Sequence, residues 1–182
     1  RDCYYINTMK DLGYNLDNAY LYPKDFRKAD DRVTKEYEDM IAEKERRAKE
    51  EELKKLSKRD ELIKNISDGL RNMPDLKEFI GGAKGLFVYV PENAKELMEE
   101  GRALHNCLST YSDRIAEGKT LVFFVRKLDT PDAPFIALEY CNGEIVQCRY
   151  DYNENVEDDN VLDFVEAFAK KLRENNVLYK AA

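Results

Sequence analysis

The chain has 182 residues, 37% of them charged, and a net charge of -7. That length fits one ordinary domain plus an appendage, or two small units. The charge content is too high for one compact sphere, so some helix should be solvated. The acidic balance argues against tight nonspecific phosphate binding, which needs Lys and Arg to displace counterions.

Four cysteines, Cys3, Cys107, Cys141 and Cys148, are too few and too irregularly placed for a disulfide scaffold. No apolar run approaches transmembrane length and no signal peptide is visible, so a cytoplasmic, reducing compartment is the default expectation. The first residue is Arg1, without an initiator Met, which reads as a fragment of a longer protein.

Asp2 to Asp11 reads as a short helix. Tyr5, Met9 and Leu12 fall at helical spacing, and Gly13 sits where a left-handed cap would end it. Tyr14 to Tyr22 is expected to be extended or looped, with Pro23 in the first turn of the next helix. From Lys24 to about Met73 there is no Pro and only Gly69, so the segment is one long helix, or two with a break near Ser57. Its middle, Glu43 to Glu52, is almost wholly charged. It should be a solvated arm laced by i,i+4 pairs such as Glu45–Lys49. The a/d pattern fails there, which disfavours a long coiled coil.

Pro74 ends the arm, and Asp75 to Ile80 has room for one helical turn. Gly81, Gly82 and Gly85 match neither a Walker loop nor a dinucleotide fingerprint, so they read as a plain turn. Leu86 to Val90 is a strand stopped by Pro91. Glu92 to Glu100 is a helix with Gly101 as its C′ residue, and Leu108 to Glu117 is a second helix closed by Gly118. Thr120 to Arg126 is a strand. Phe135 to Tyr140 and Glu144 to Arg149 are strands joined by Asn142-Gly143, a strong hairpin signal. The last helix, from about Val161 to Arg173, carries a one-sided apolar stripe of Val161, Phe164, Val165, Phe168 and Leu172. The predicted fold class is α+β. A three- to four-stranded antiparallel sheet packs with helices on at least one face, preceded by the long charged helical arm. Residues 1–73 form the N-terminal helical region, and residues 74–182 the α+β domain.

The string LFVYVPENAKELMEEGRALHNCLSTYSDRIAEG, then TLVFFVRKLDTPDAPFIALEY, then GEIVQCRYDYNENV resembles the PcfJ-like family. The N-terminal DLGYNLDNAYLYPKDF is similar to the segment before the arm in such proteins. The family pattern has His-x-Cys with a Tyr four residues on, a strand ending in Arg, a strand ending in Glu, and Gln-x-Arg followed by Asn. Those positions are His105, Cys107, Tyr111, Arg126, Glu139, Gln147, Arg149 and Asn153. One departure is Tyr150, where the family often has Gly. The resemblance implies a protein of plasmids, conjugative elements or phages, with an accessory role near DNA processing and transfer. It implies no assigned reaction and no cofactor.

Three readings of the candidate site stay open. His105 with Cys107, Cys141 and Cys148 could supply a closed zinc site. Strict pairing through the two-residue turn argues against it: Cys141 would pair with Glu144 and Cys148 with Ala137, on one face but several residue pairs apart. No metal is expected. Cys107 could be a nucleophile with His105 as base, which needs a turn at 104–107 rather than a helix. His105, Arg126, Glu139 and Gln147 could form a polar pocket for a phosphate, a nucleotide or a peptide carboxylate, with Arg126 pairing Glu139. The plainer counterpart is a buried ion pair with a hydrogen-bonded histidine. On strict pairing, Gln147 and Arg149 would face away from Glu139. His105, flanked by Leu104 and Leu108, should be at least half buried, bonded near Glu139 or Arg126.

The preferred reading is a non-enzymatic interaction domain that meets a protein partner in a DNA-processing complex through the N-terminal region and arm. The alternatives are phosphoryl or nucleotidyl chemistry at His105, Cys107, Arg126 and Glu139, or direct DNA binding. For DNA the only aromatic-basic cluster is Arg149, Tyr150 and Tyr152, diluted by Asp151 and Glu154.

Overall fold

The computed structural model describes residues 2–178; Arg1 and residues 179–182, the outer ends of the two expected regions, lie outside the described residues. The backbone divides into two compact units that meet between Lys55 and Leu56.

The first unit holds α1 (Asp2–Asp11), the single turn α2 (Asn18–Leu21) and α3 (Phe26–Arg71) as far as Lys55. Tyr5, Met9, Ala29 and Val33 form its small core. The segment expected to be extended contains α2, because the Asp17 carbonyl accepts from the amides of Tyr20 and Leu21 at 3.1 and 3.0 Å. Pro23 precedes α3 instead of opening it. The Asp25 carboxylate accepts the Lys28 amide at 3.2 Å, which places the cap two residues later.

Helix α3 is unbroken for 46 residues and passes through Ser57 without interruption. Glu43 to Glu52 is helical throughout, and all its residues are exposed except the half-buried Glu43. Its pairs centre on Glu43, which binds Arg46 and Arg47, and on Arg46 with Glu50 at 2.5 Å. Glu45–Lys49 is not among them. Arg47 and Arg46 together hold the Glu43 carboxyl below its ordinary range.

The second unit is built on a four-stranded antiparallel sheet. Its strands are β1 (Leu86–Tyr89), β2 (Leu121–Lys127), β3 (Ile136–Cys141) and β4 (Glu144–Arg149), in sequential order across the sheet. Helices cover both faces of its centre, which is why Leu121 to Val125 are all buried. On one face α7 (Asp159–Glu174) lays its apolar stripe against Phe123, Val125, Leu138 and Tyr140. Leu76 of a short 3₁₀ turn, Phe79 of α4 (Lys77–Gly81) and Leu70 of α3 complete that layer. On the other face α5 (Ala94–Ala103), α6 (Ser112–Ala116) and the turn between them bring Leu97, Leu104, Leu108 and Ile115 onto Val122, Phe124 and Ala137, with Ile63 of α3. Among the described residues no helix is long and apolar enough to cross a membrane.

Two local features differ from expectation and shape the site. Gly101 is not the end of α5, which continues to Ala103. It is buried inside the helix. A Cβ there would sit 3.2 Å from the Asn106 carbonyl oxygen and from Leu108 Cβ, so glycine permits a close approach. The expected helix from Leu108 is a 3₁₀ turn, Leu108–Tyr111, followed by the short α6.

The second feature is the β3–β4 register. Asn142 and Gly143 make the expected two-residue turn, with φ of 52° and 86°. Cys141 pairs with Glu144 and Tyr140 with Ile145, but then Glu139 pairs with Gln147. Val146 is an extra residue, a β-bulge. From there on, every side chain of β4 lies on the face opposite to that expected. Gln147 and Arg149 share the Glu139 face. Cys148 pairs with Leu138 instead of Ala137, and packs into the α7-side core.

Candidate functional site

The sheet face under α5 and α6 is only partly covered. Where the helices end, β3 and β4 floor an open pocket of about 410 Å³. Cys107, Tyr111, Glu139, Gln147, Arg149 and Asn153 line it, together with Asn106, Leu108, Ala137 and Leu138. Six of the eight residues singled out from the sequence therefore meet in one place.

Glu139 is the buried centre, 6% exposed. Tyr111 donates its hydroxyl to Oε2 at 3.1 Å. Thr120 Oγ1 lies 3.0 Å from Oε1, and Arg114 reaches the same oxygen at 3.3 Å. A buried carboxylate is tolerated when paired and hydrogen-bonded in this way. Burial, with the neighbouring Glu139 charge as a second cause, raises the Tyr111 phenol above its ordinary value. The ring of Tyr111 also carries the Arg114 guanidinium 5.2 Å from its centroid. Arg114, Thr120 and Asn106 were missed in the sequence. Asn106 had a readable signal: it stands two residues before Leu108, whose amide it accepts at 3.2 Å, as Asx residues do at turns.

At the open side the groups are less engaged. Gln147 is exposed and makes no side-chain hydrogen bond among the described residues. Arg149 donates to the Asn155 carboxamide and forms no ion pair among the described residues. Cys107 is an exposed free thiol.

His105 is not on the pocket floor. Its side chain is half exposed, and Nδ1 lies 2.8 Å from Asp151 Oδ1, not near Glu139 or Arg126. The ring stacks on Tyr152, centroids 4.1 Å apart and 6° from parallel. The Tyr152 amide donates to the Leu104 carbonyl at 3.1 Å. This clasp joins the turn after α5 to the loop after β4. Three of its non-glycine residues, His105, Tyr152 and Asn153, have positive φ of 46°, 53° and 60°. Such conformations are held by their surroundings and collect at functional sites.

Arg126 is elsewhere too. It pairs with Glu100 of α5 instead of Glu139, and sits beside a separate cavity with Tyr89 and Phe124. Glu100 is 4% exposed, and burial pushes its carboxyl up to about 7 although Arg126 opposes the shift. Its Oε1 has no partner among the described residues, so the cation compensates only part of the desolvation. The four possible zinc ligands do not converge. The bulge puts Cys141 and Cys148 on opposite faces, and no group of three or more His, Cys, Asp or Glu among the described residues is placed to hold a metal ion.

The architecture is that of an α+β domain whose sheet and overlying helices border an open polar pocket. The family description "PcfJ-like protein" matches residues 3–162, and the chain belongs to that family. It is 31% identical over 152 residues to a protein described as "Uncharacterized protein Lin1253/Lin1744" from Listeria innocua serovar 6a. That match covers 82% of this chain and 29% of the relative, so the chain spans less than a third of that protein's length. No solved structure matches the chain.

Proposed function

We propose that the chain is a non-enzymatic interaction module of a mobile-element protein that serves DNA processing or conjugative transfer, and that the pocket between β3, β4 and the 106–111 turn is where it engages its partner. The observation that carries this reading is the state of the lining. The buried carboxylate of Glu139 is already satisfied, while Gln147 and Arg149, on the open side, have polar capacity to spare. A pocket with a locked base and free recognition groups at its mouth is suited to holding a ligand. His105, the one imidazole in the chain, is engaged by Asp151 and Tyr152, which favours a rim role over activation of Cys107. The setting in mobile elements comes from the family resemblance.

The test is genetic. In the full-length protein of a transferable element, Gln147→Ala with Arg149→Met should lower transfer at least about tenfold, the effect of losing roughly 1.4 kcal/mol of binding. The protein level should be unchanged. Transfer at the wild-type rate would sink the reading. So would turnover of a nucleotide or phosphodiester by the purified chain that depends on Cys107 and Glu139, which would make the module an enzyme.

A further inference from the structure

We infer that the pocket recognises the carboxyl terminus of a partner polypeptide, which rests on the reading of the pocket as a binding site. Glu139 is balanced by Arg114 at the base. Arg149 faces the same pocket, and among the described residues its only side-chain partner is the neutral Asn155 carboxamide. Among the described residues the lining is left with a single uncompensated positive charge. One guanidinium with free N–H groups matches a monoanion, and a carboxylate takes it in the two-pronged geometry that Arg favours. A phosphate dianion or a nucleic acid strand calls for several cations, and in a chain of net charge -7 the mouth supplies one.

The neutral groups narrow the choice further. Gln147 and Asn153 present carboxamides that make no hydrogen bond among the described residues. A carboxamide offers both a donor and an acceptor, the same pair that a peptide group presents. A chain end brings a carboxylate and, one residue back, an N–H and a C=O to be satisfied. Leu108, Ala137 and Leu138 supply the apolar wall for the last side chain. The volume of about 410 Å³ lies in the range of small-ligand pockets and suits a chain end better than a folded surface.

The probe is a fluorescein-labelled pool of random hexapeptides with free carboxyl ends, compared with the same pool capped as carboxamides. Both are titrated against the whole chain. The free-acid pool should be retained and the capped pool should lose at least about tenfold, as for a lost charge-assisted bond. Arg149→Met should abolish the difference, and Arg149→Lys, which keeps the charge but not the fork, should restore only part of it. Far-UV circular dichroism confirms that each variant folds. Equal retention of both pools, or retention of neither, overturns the inference. If adenosine 5′-monophosphate binds instead and depends on Arg149, the carboxyl-terminus assignment falls while the pocket reading stands. The pocket reading itself falls only with the transfer or turnover results above.

Discussion

Gln147 stands directly opposite Glu139 across the β3–β4 ladder, because Val146 is looped out between them. Side chains in a strand alternate faces, so one extra residue moves all that follow to the other side. The pocket depends on this displacement. Deleting Val146 should restore strict alternation and turn Gln147 and Arg149 toward the α7 core. We expect the deletion to lower the melting temperature sharply. A partner-binding assay on any folded remainder should read zero.

Gly101 and Gly69 make a matched pair. Both are helical, but a Cβ at Gly69 meets nothing within 4 Å, whereas one at Gly101 meets the Asn106 carbonyl. Gly69→Ala should stabilise by about 0.5–1 kcal/mol through helix propensity. Gly101→Ala should cost about 1–3 kcal/mol through overpacking and should move the 106–108 wall. Urea melts of the two variants test this, and equal shifts would refute the close-approach account.

Breaking the buried pair should be pH-dependent. Arg126→Met leaves Glu100 in a dry site with no cation, at a cost of about 3–5 kcal/mol. The Glu100 pKa is already raised to about 7 in the folded chain, above its ordinary value of 4.5. A raised carboxyl pKa favours folding at low pH, where the group is neutral. That advantage is lost as pH climbs from the unfolded value through the folded one. The damage from Arg126→Met should therefore be greater at pH 8 than at pH 5. Thermal melts at the two pH values read it.

Glu139→Gln removes the charge beside Tyr111 and the ion pair to Arg114. The Tyr111 phenol should then titrate lower than in the wild type, though still above the ordinary value because it stays buried. A ¹³C-tyrosine NMR titration resolves it from the other rings.

His105→Asn should be mild. The imidazole–Asp151 pair is half exposed, and exposed pairs contribute about 0–1 kcal/mol. Asn also adopts the positive φ of 46° more readily than most residues. A loss of more than about 2 kcal/mol in denaturant melts would show that the clasp is structural after all.

Much of the fold was legible because its signals are local. The Asn142-Gly143 turn, the α7 stripe and the absence of Pro through α3 each fix their element without long-range information. Of the eight motif residues, six meet in the pocket. Their orientation was not. The bulge had one trace in the sequence: Ile145 and Cys148, both on the α7 side, are three apart where strict alternation wants two. Arg126 and Glu139 lie near the ends of neighbouring strands and so read as a pair, yet Glu100 comes to Arg126 from a helix, and helix-to-strand contacts leave no mark in spacing. Leu104 and Leu108 flank His105 and make it read as a core group. The positive φ at 105 swings the chain so that its neighbours are buried and it is not.

The displaced Val146 also bears on colloidal behaviour. β4 is an outer strand of the sheet, and an outer strand offers unpaired backbone groups to any neighbouring chain. A bulge in its middle breaks the regular spacing that a foreign strand would need, and Glu144 and Arg149 put charge at either end of it. Val146 itself is 55% exposed, an apolar residue on an open edge that would invite fibril growth on a flat strand. The bulge that turns Gln147 toward the pocket thus also works against templated aggregation at that edge.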